Sequence, residues 1–117
     1  ATTPFYRFSA HQAKSLLLGD ILELGDHSQK IHREIGRMIS PSQIKNLYLF
    51  GDQVRHIMSG APEIGFPQSR IFCNLSDDIR ISANHIISTT EENEIILLKA
   101  SRKMRLERII EISQSTD

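Results

Sequence analysis

The sequence predicts an open α/β fold, Rossmann-like, with a mostly parallel sheet and helices on both faces. Three observations carry that prediction. Four short apolar runs recur along the 117 residues, and none alternates with polar positions. Continuous runs of four or five apolar residues read as strands buried on both faces. Each run leads through turn residues into a segment whose apolar positions recur at helical spacing. Strand then helix, four times over, implies parallel strands joined by right-handed crossovers.

The first run is SLLLGD at 15–20. After it, Ile31, Ile35, Met38 and Ile39 share a stripe from Ser28 onward, with Asp26 or Ser28 as N-cap and Pro41 as stop. The second run, NLYLFGD at 46–52, precedes a shorter helix through Val54, Ile57 and Met58 that ends at Gly60, near Pro62. The third, RIFCN at 70–74, precedes a helix capped by Ser76 or Asp77 and carrying Ile79, Ala83, Ile86 and Ile87. The fourth, EIILLKAS at 94–101, leads to a last stripe of Leu106, Ile109, Ile110 and Ser113. Residues 1–14 read as a loose segment with a stub of helix around 9–14. Residues 15–113 read as the domain and 114–117 as a tail.

Length and composition set the bounds. A chain of 117 residues builds one core and is too short for two domains. Basic and acidic residues cancel, 14 against 14, whereas a nucleic-acid-binding domain usually carries a basic excess. The single Cys73 allows no internal disulfide and fits a reducing compartment. No apolar run approaches the roughly 18 residues of a membrane span, and no signal-peptide pattern opens the chain. A cytoplasmic location is the expectation.

Open parallel sheets bind ligands at the carboxyl ends of their strands. Here that edge is made by residues 19–20, 51–52, 74–77 and 99–103. The last belongs to KASRKMRLERII at 99–110, where five basic residues fall within ten positions. Arg102, Arg105 and Arg108 recur every third residue, as if along one helix edge. Cations at a helix start oppose the macrodipole, unless amides and side chains hold an anion there together. Lys99, Ser101 and Arg102, in the loop itself, are expected to meet a ligand. For Arg105 and Arg108 a solvated helix face paired with Glu107 and Glu111 stands beside that role.

Other candidates carry less. Asp20 and Asp52 suit helix caps or turns before acids or metal ligands. His27 and His32, five apart, do not align on a helix for a shared metal, so no metal site is expected. His11, His56 and His85 read as surface residues, and Cys73 as a buried inert thiol. No G-x-G-x-x-G pattern or phosphate-cradling P-loop occurs, so the chain has no ATP-cleaving motif of its own.

Three motifs, in order, resemble the Mur ligases over most of the span 15–112. LLLGDILELGDHSQKIHREIG at 16–36 resembles their V-L-G-D-M-x-E-L-G-x-x-S-x-x-x-H-x-x-x-G. LYLFGDQVRHI at 47–57 is similar to their next strand–Gly–helix unit. IILLKASRKMRLERII at 95–110 resembles their closing V-L-V-K-G-S-R-x-M-x-x-E-x-V-V. The resemblance is to the C-terminal domain alone, and nearest to the branch that joins D-alanyl-D-alanine to UDP-N-acetylmuramoyl-tripeptide.

That resemblance implies an ATP-dependent amide ligase of peptidoglycan-precursor synthesis, working through an acyl phosphate. ATP and Mg would be held mainly by two earlier domains, leaving this chain inactive alone. Lys99, Ser101 and Arg102 would face the amino substrate, and Asp20 the nucleotide side. The partners implied are the UDP-linked muramoyl peptide, D-alanyl-D-alanine and the two other domains. Two departures stand out. The family's Tyr-Asn-Ala-Asn-Pro turn does not occur in residues 1–14, and Ala100 replaces the glycine of Lys-Gly-Ser-Arg. A methyl group there is expected to push a ligand away or to change the turn. The opposing expectation is a non-catalytic Rossmann-like binding or interaction module.

Overall fold

The four apolar runs form one sheet: β1 (Lys14–Gly19), β2 (Leu47–Phe50), β3 (Ile71–Asn74) and β4 (Ile95–Lys99). Their order is β3-β2-β1-β4, and every pairing is parallel. The structure, a computed structural model, describes residues 13–114. The expected N-terminal segment and tail therefore lie outside the described residues, except that Lys14 opens β1 and Gln114 closes the last helix.

Four α-helices follow the strands in turn: α1 (Ser28–Arg37), α2 (Val54–Gly60), α3 (Ile79–Thr89) and α4 (Glu107–Gln114). Alternate residues of β1 and β2 feed opposite layers, which is why their runs are apolar without a break. Leu18, Leu47 and Leu49 pack with Val54, Ile57, Ala61 and Phe66 on the face of α1 and α2. Leu17, Tyr48 and Phe50 pack with Ala83, Ile86, Leu106 and Ile109 on the face of α3 and α4. Helices on both faces are thus observed.

α1 and α2 cross at two glycines. A Cβ on Gly36 would meet Ile57 O and lie 2.8 Å from Ala61 N, and one on Gly60 would collide with Arg33 O. Only glycine allows backbones this close. The expected caps shift by a residue or two. Asp78, not Ser76 or Asp77, caps α3 by accepting from Arg80 N at 3.0 Å. α1 is entered from a 3-10 turn (Gly25–His27) with no side-chain cap.

The fourth run departs from expectation. β2 is buried throughout, but β4 is an edge strand, with Leu97 44% and Leu98 38% exposed. β3, at the other edge, has no exposed residue, whereas of β4 Ile96 is the residue packed against a core cluster.

Candidate functional site

The carboxyl edge is built around Asp20. β1 ends at Gly19 and turns Asp20 inward, where it is 6% exposed. Its carboxylate accepts from Asp52 N and from Val54 N, each at 3.0 Å. Asp20 therefore caps α2 from a different strand. The chain makes room for it at Gly51, whose φ of 138° suits glycine and whose Cβ would lie 2.6 Å from Asp20 Oδ1. Asp52 stays exposed, and hydrogen bonding from Gln53, then the Arg55 charge, hold its carboxyl below the usual value.

The residues after Asp20 are held one by one. Ile21 N donates to His32 Nε2 at 3.0 Å, and His32 Nδ1 lies 2.8 Å from Ser28 O. An amide can only donate, so Nε2 accepts and the ring proton sits on Nδ1, toward the carbonyl. His32 is completely buried, and Ser28 Oγ donates to Gln53 Oε1 at 2.8 Å. Leu22 N donates to Ser101 Oγ at 2.8 Å, and Ser101 N to Asp20 O at 3.2 Å. Three loops are thereby fastened together. The part played by His32 was not foreseen. Its signal is the four-residue spacing of Ser28, His32 and Gly36, which sets all three on one stripe of α1.

The basic loop is not the start of a helix. Lys99 ends β4, residues Arg102–Met104 form a 3-10 turn, Arg105 takes a left-handed φ of 50°, and α4 begins at Glu107. Arg102, Arg105 and Arg108 therefore do not share a helix edge. The first turn of α4 carries the acid Glu107, as the macrodipole favours. Arg108 is the second residue of α4, and its guanidinium donates to Arg105 O at 2.9 Å and Met104 O at 3.0 Å.

Lys103 reaches Glu23 at 3.4 Å. Lys99 and Arg102 are exposed, and neither side chain has a polar partner among the described residues. Ser101, expected with Lys99 and Arg102 to meet a ligand, is half-buried, and its oxygen accepts from Leu22 N. Ala100 fits its turn without strain. Its φ is not left-handed, and its Cβ stands only 2.9 Å from where Gly19 would carry one, so the methyl rests against a bare α-carbon.

Two concavities border this edge. A cleft of about 320 Å³ is lined by Asp20, Asp52, Asp77, Lys103 and Arg108, with both signs of charge. An apolar groove of about 670 Å³ runs from Leu16, Leu18 and Ile35 to Lys99. Among the described residues no three His, Cys, Asp or Glu side chains gather to hold a metal ion. Burial pushes the Cys73 thiol up to about 11, so it is a poor nucleophile. His85 stacks on Phe72 at 3.8 Å between ring centres, and its burial lowers its pKa. Where serine meets histidine, at Ser28 Oγ and His32 Nδ1 3.2 Å apart, that ring nitrogen carries the proton and cannot serve as a base, so the pair positions and does not activate.

No protein-family profile matches the chain. Curated relatives do, among them two ligases. The UDP-N-acetylmuramoyl-tripeptide–D-alanyl-D-alanine ligase of Bacillus subtilis is 35% identical over 97 residues, covering 83% of this chain. The ligase of the same name from Rickettsia prowazekii is 31% identical over 101 residues, covering 86%. The chain spans about a fifth of either, 21% of its length. Solved structures share the fold. The MurF ligase of Thermotoga maritima in complex with ADP matches with a TM-score of 0.65 at 24% identity, over 88% of this chain and 22% of that one. MurF of Acinetobacter baumannii matches with a TM-score of 0.72 at 20% identity, over 98% and 26%. In sequence and in fold, the chain is homologous to the C-terminal portion of the MurF branch of the Mur ligases.

Proposed function

We propose that this chain is the C-terminal part of an ATP-dependent ligase that adds D-alanyl-D-alanine to UDP-N-acetylmuramoyl-tripeptide. The observation that carries this is identity of 35% and 31% to ligases of that name along most of the chain. Lys99 and Arg102 support it, two cations without polar partners among the described residues, on the edge where parallel sheets bind ligands.

A carboxylate is a poor acyl donor, because its leaving group would be oxide. Conversion to an acyl phosphate supplies a better one. The dipeptide amine then attacks, a tetrahedral intermediate forms, and phosphate leaves. ATP and magnesium belong mainly to parts of the enzyme outside this chain. Asp20 and Asp52 are poorly placed to hold magnesium, since Asp20 has both oxygens on backbone amides and Asp52 is engaged by Gln53 and Arg55.

The chain's own share is to close over the reacting groups, exclude water and orient the dipeptide. Arg102 offers a planar fork for a carboxylate or phosphate, and Lys99 a second positive charge. Ser101 Oγ accepts from Leu22 and keeps its own proton to donate. Asp20 acts through the loops it fastens. A cytoplasmic place follows from the nucleotide-linked substrate; no helix among the described residues is long and apolar enough to cross a membrane.

The test is phosphate release by the full-length protein that carries this chain. It is expected only when ATP, the muramoyl tripeptide and D-alanyl-D-alanine are all present. Absence of release with all three present would favour a non-catalytic binding module and overturn the proposal. The isolated chain is expected to be inactive and to bind ATP more weakly than micromolar, measured by calorimetric titration.

A further inference from the structure

We infer that His32 is the positioning residue that sets where Lys99 and Arg102, the loop cations without polar partners among the described residues, stand. The inference rests on the ligase reading for what the cations bind, but the positioning itself is a property of the fold. His32 cannot touch a ligand, because it is completely buried and both ring nitrogens are engaged. Its Nε2 holds the Ile21 amide. The next amide, Leu22 N, holds Ser101 Oγ, and Ser101 N returns to Asp20 O. Ser101 stands directly before Arg102 and two residues after Lys99. The path from His32 to the cations is therefore two hydrogen bonds, His32 to Ile21 and Leu22 to Ser101, joined by short stretches of backbone.

Neither end of this run would hold its place unaided. Glu23 and Gly25 adopt left-handed φ values of 66° and 57°, so the residues beyond Leu22 follow no regular ladder. On the other side the 3-10 turn and left-handed Arg105 separate Ser101 from α4. The loop carrying Lys99 and Arg102 is located by β4 behind it and by the 20–22 turn beside it. His32 fixes that turn to α1, which is itself locked to α2 at Gly36 and Gly60.

The experiment compares His32→Leu and His32→Gln in the full-length protein, by hydrogen exchange and by steady-state kinetics. Leucine fills the space without an acceptor, whereas the glutamine side-chain oxygen reaches about as far as Nε2 and can accept from Ile21 N. In His32→Leu the amides of Ile21, Leu22 and Ser101 are expected to exchange about tenfold faster or more, since a buried amide left without its acceptor is strongly disfavoured. The amides of Leu17 and Leu18 in β1 should keep their protection. The apparent Michaelis constant for D-alanyl-D-alanine should rise several-fold with a smaller change in turnover number, and His32→Gln should restore both readouts most of the way. Equal exchange in wild type and His32→Leu would overturn the inference. So would loss of protection throughout β1 in both variants, which would make His32 a general stabiliser. If the wild-type protein has no ligase activity, the proposed function falls, and the exchange pattern still decides the role of His32.

Discussion

The two sides of the carboxyl edge use their polar residues in opposite ways. On the β1–β2 side, Asp20, Ser28 and His32 are engaged by backbone or side-chain partners, and Asp20 and His32 are buried. On the β4 side, Lys99 and Arg102 are exposed and without polar partners among the described residues. The first side carries the more distinctive motif, G-D-x-x-E-L-G-x-x-S-x-x-x-H-x-x-x-G, yet its polar residues build the scaffold. The second carries Lys103 and Arg108, which the fold engages, beside two cations that it leaves unpaired among the described residues. A distinctive motif here marks where the structure is hard to build, while the cations proposed to meet a ligand lie in the plainer stretch.

The largest effect expected lies where the clasped side is tightest. Gly60→Ala drives a methyl into Arg33 O, a backbone atom of α1 that has nowhere to move. Overpacking of this kind costs about 3 kcal/mol or more, enough to lower the unfolding temperature by many degrees. Thermal unfolding followed by circular dichroism measures it. A shift of only a degree or two would mean that the α1–α2 crossing relaxes freely, and the contrast between a tight and a loose side would weaken.

Asp20→Ala comes next. It removes the acceptor of two amides at the start of α2, and Val54 is fully buried. Hydrogen bonds to a charged acceptor contribute more than neutral ones, so the loss is expected to be about 3 kcal/mol by urea denaturation. Asp20→Asn keeps one acceptor oxygen and should lose about half of that. If Asp20→Ala is as stable as the wild type while the full-length enzyme loses turnover, Asp20 serves a ligand and the division between the two sides fails.

How far the sequence revealed these two sides depends on whether the deciding contact is local. The strands were legible because buried parallel strands need unbroken apolar runs, and SLLL and LYLF have no other ready reading. The exposure of β4 was not, because an edge strand and a central strand can carry the same run. Asp20 was legible as a capping type, but its partner lies 34 residues away, at the start of α2. The buried place of His32 was hidden for the same reason, since periodicity gives its stripe and not the amide it meets. The arginines at 102, 105 and 108 misled by mimicking a helix edge across a 3-10 turn and a left-handed residue. Their spacing is a coincidence of period three, the period of the 3-10 turn itself.

The free side is tested by a pair of conservative changes in the full-length enzyme. Arg102→Lys keeps the charge and removes the planar fork, so stability should move by less than about 0.5 kcal/mol. Turnover or the Michaelis constant for the dipeptide should worsen about ten- to a hundredfold, the worth of one charge-assisted contact. Arg108→Lys should do the reverse. It loses two bonds to the carbonyls of Met104 and Arg105, costing about 1 kcal/mol of stability, with kinetics changed within about twofold. If Arg108→Lys damages catalysis more, the functional cation sits in the charged cleft with Asp20 and Asp77, and not in the exposed loop.

The smallest effect separates strain from use within the basic loop. Arg105 is exposed and left-handed, at a φ of 50°, and its bonds to Arg102 O and from Arg108 N are made by its backbone. Glycine would keep those bonds and remove the steric penalty of a Cβ in this conformation, about 1 kcal/mol. Against that, glycine gains freedom in the unfolded chain, which offsets roughly half or more. Arg105→Gly is therefore expected to be neutral to stabilising by up to about 0.5 kcal/mol in urea denaturation, with ligase kinetics unchanged. A neutral variant would show that the period-three arginines divide into one that binds, one that merely fills a turn and one that caps carbonyls. A clear loss of turnover with stability intact would instead join Arg105 to Arg102 as a substrate contact, widening the free side from two cations to three.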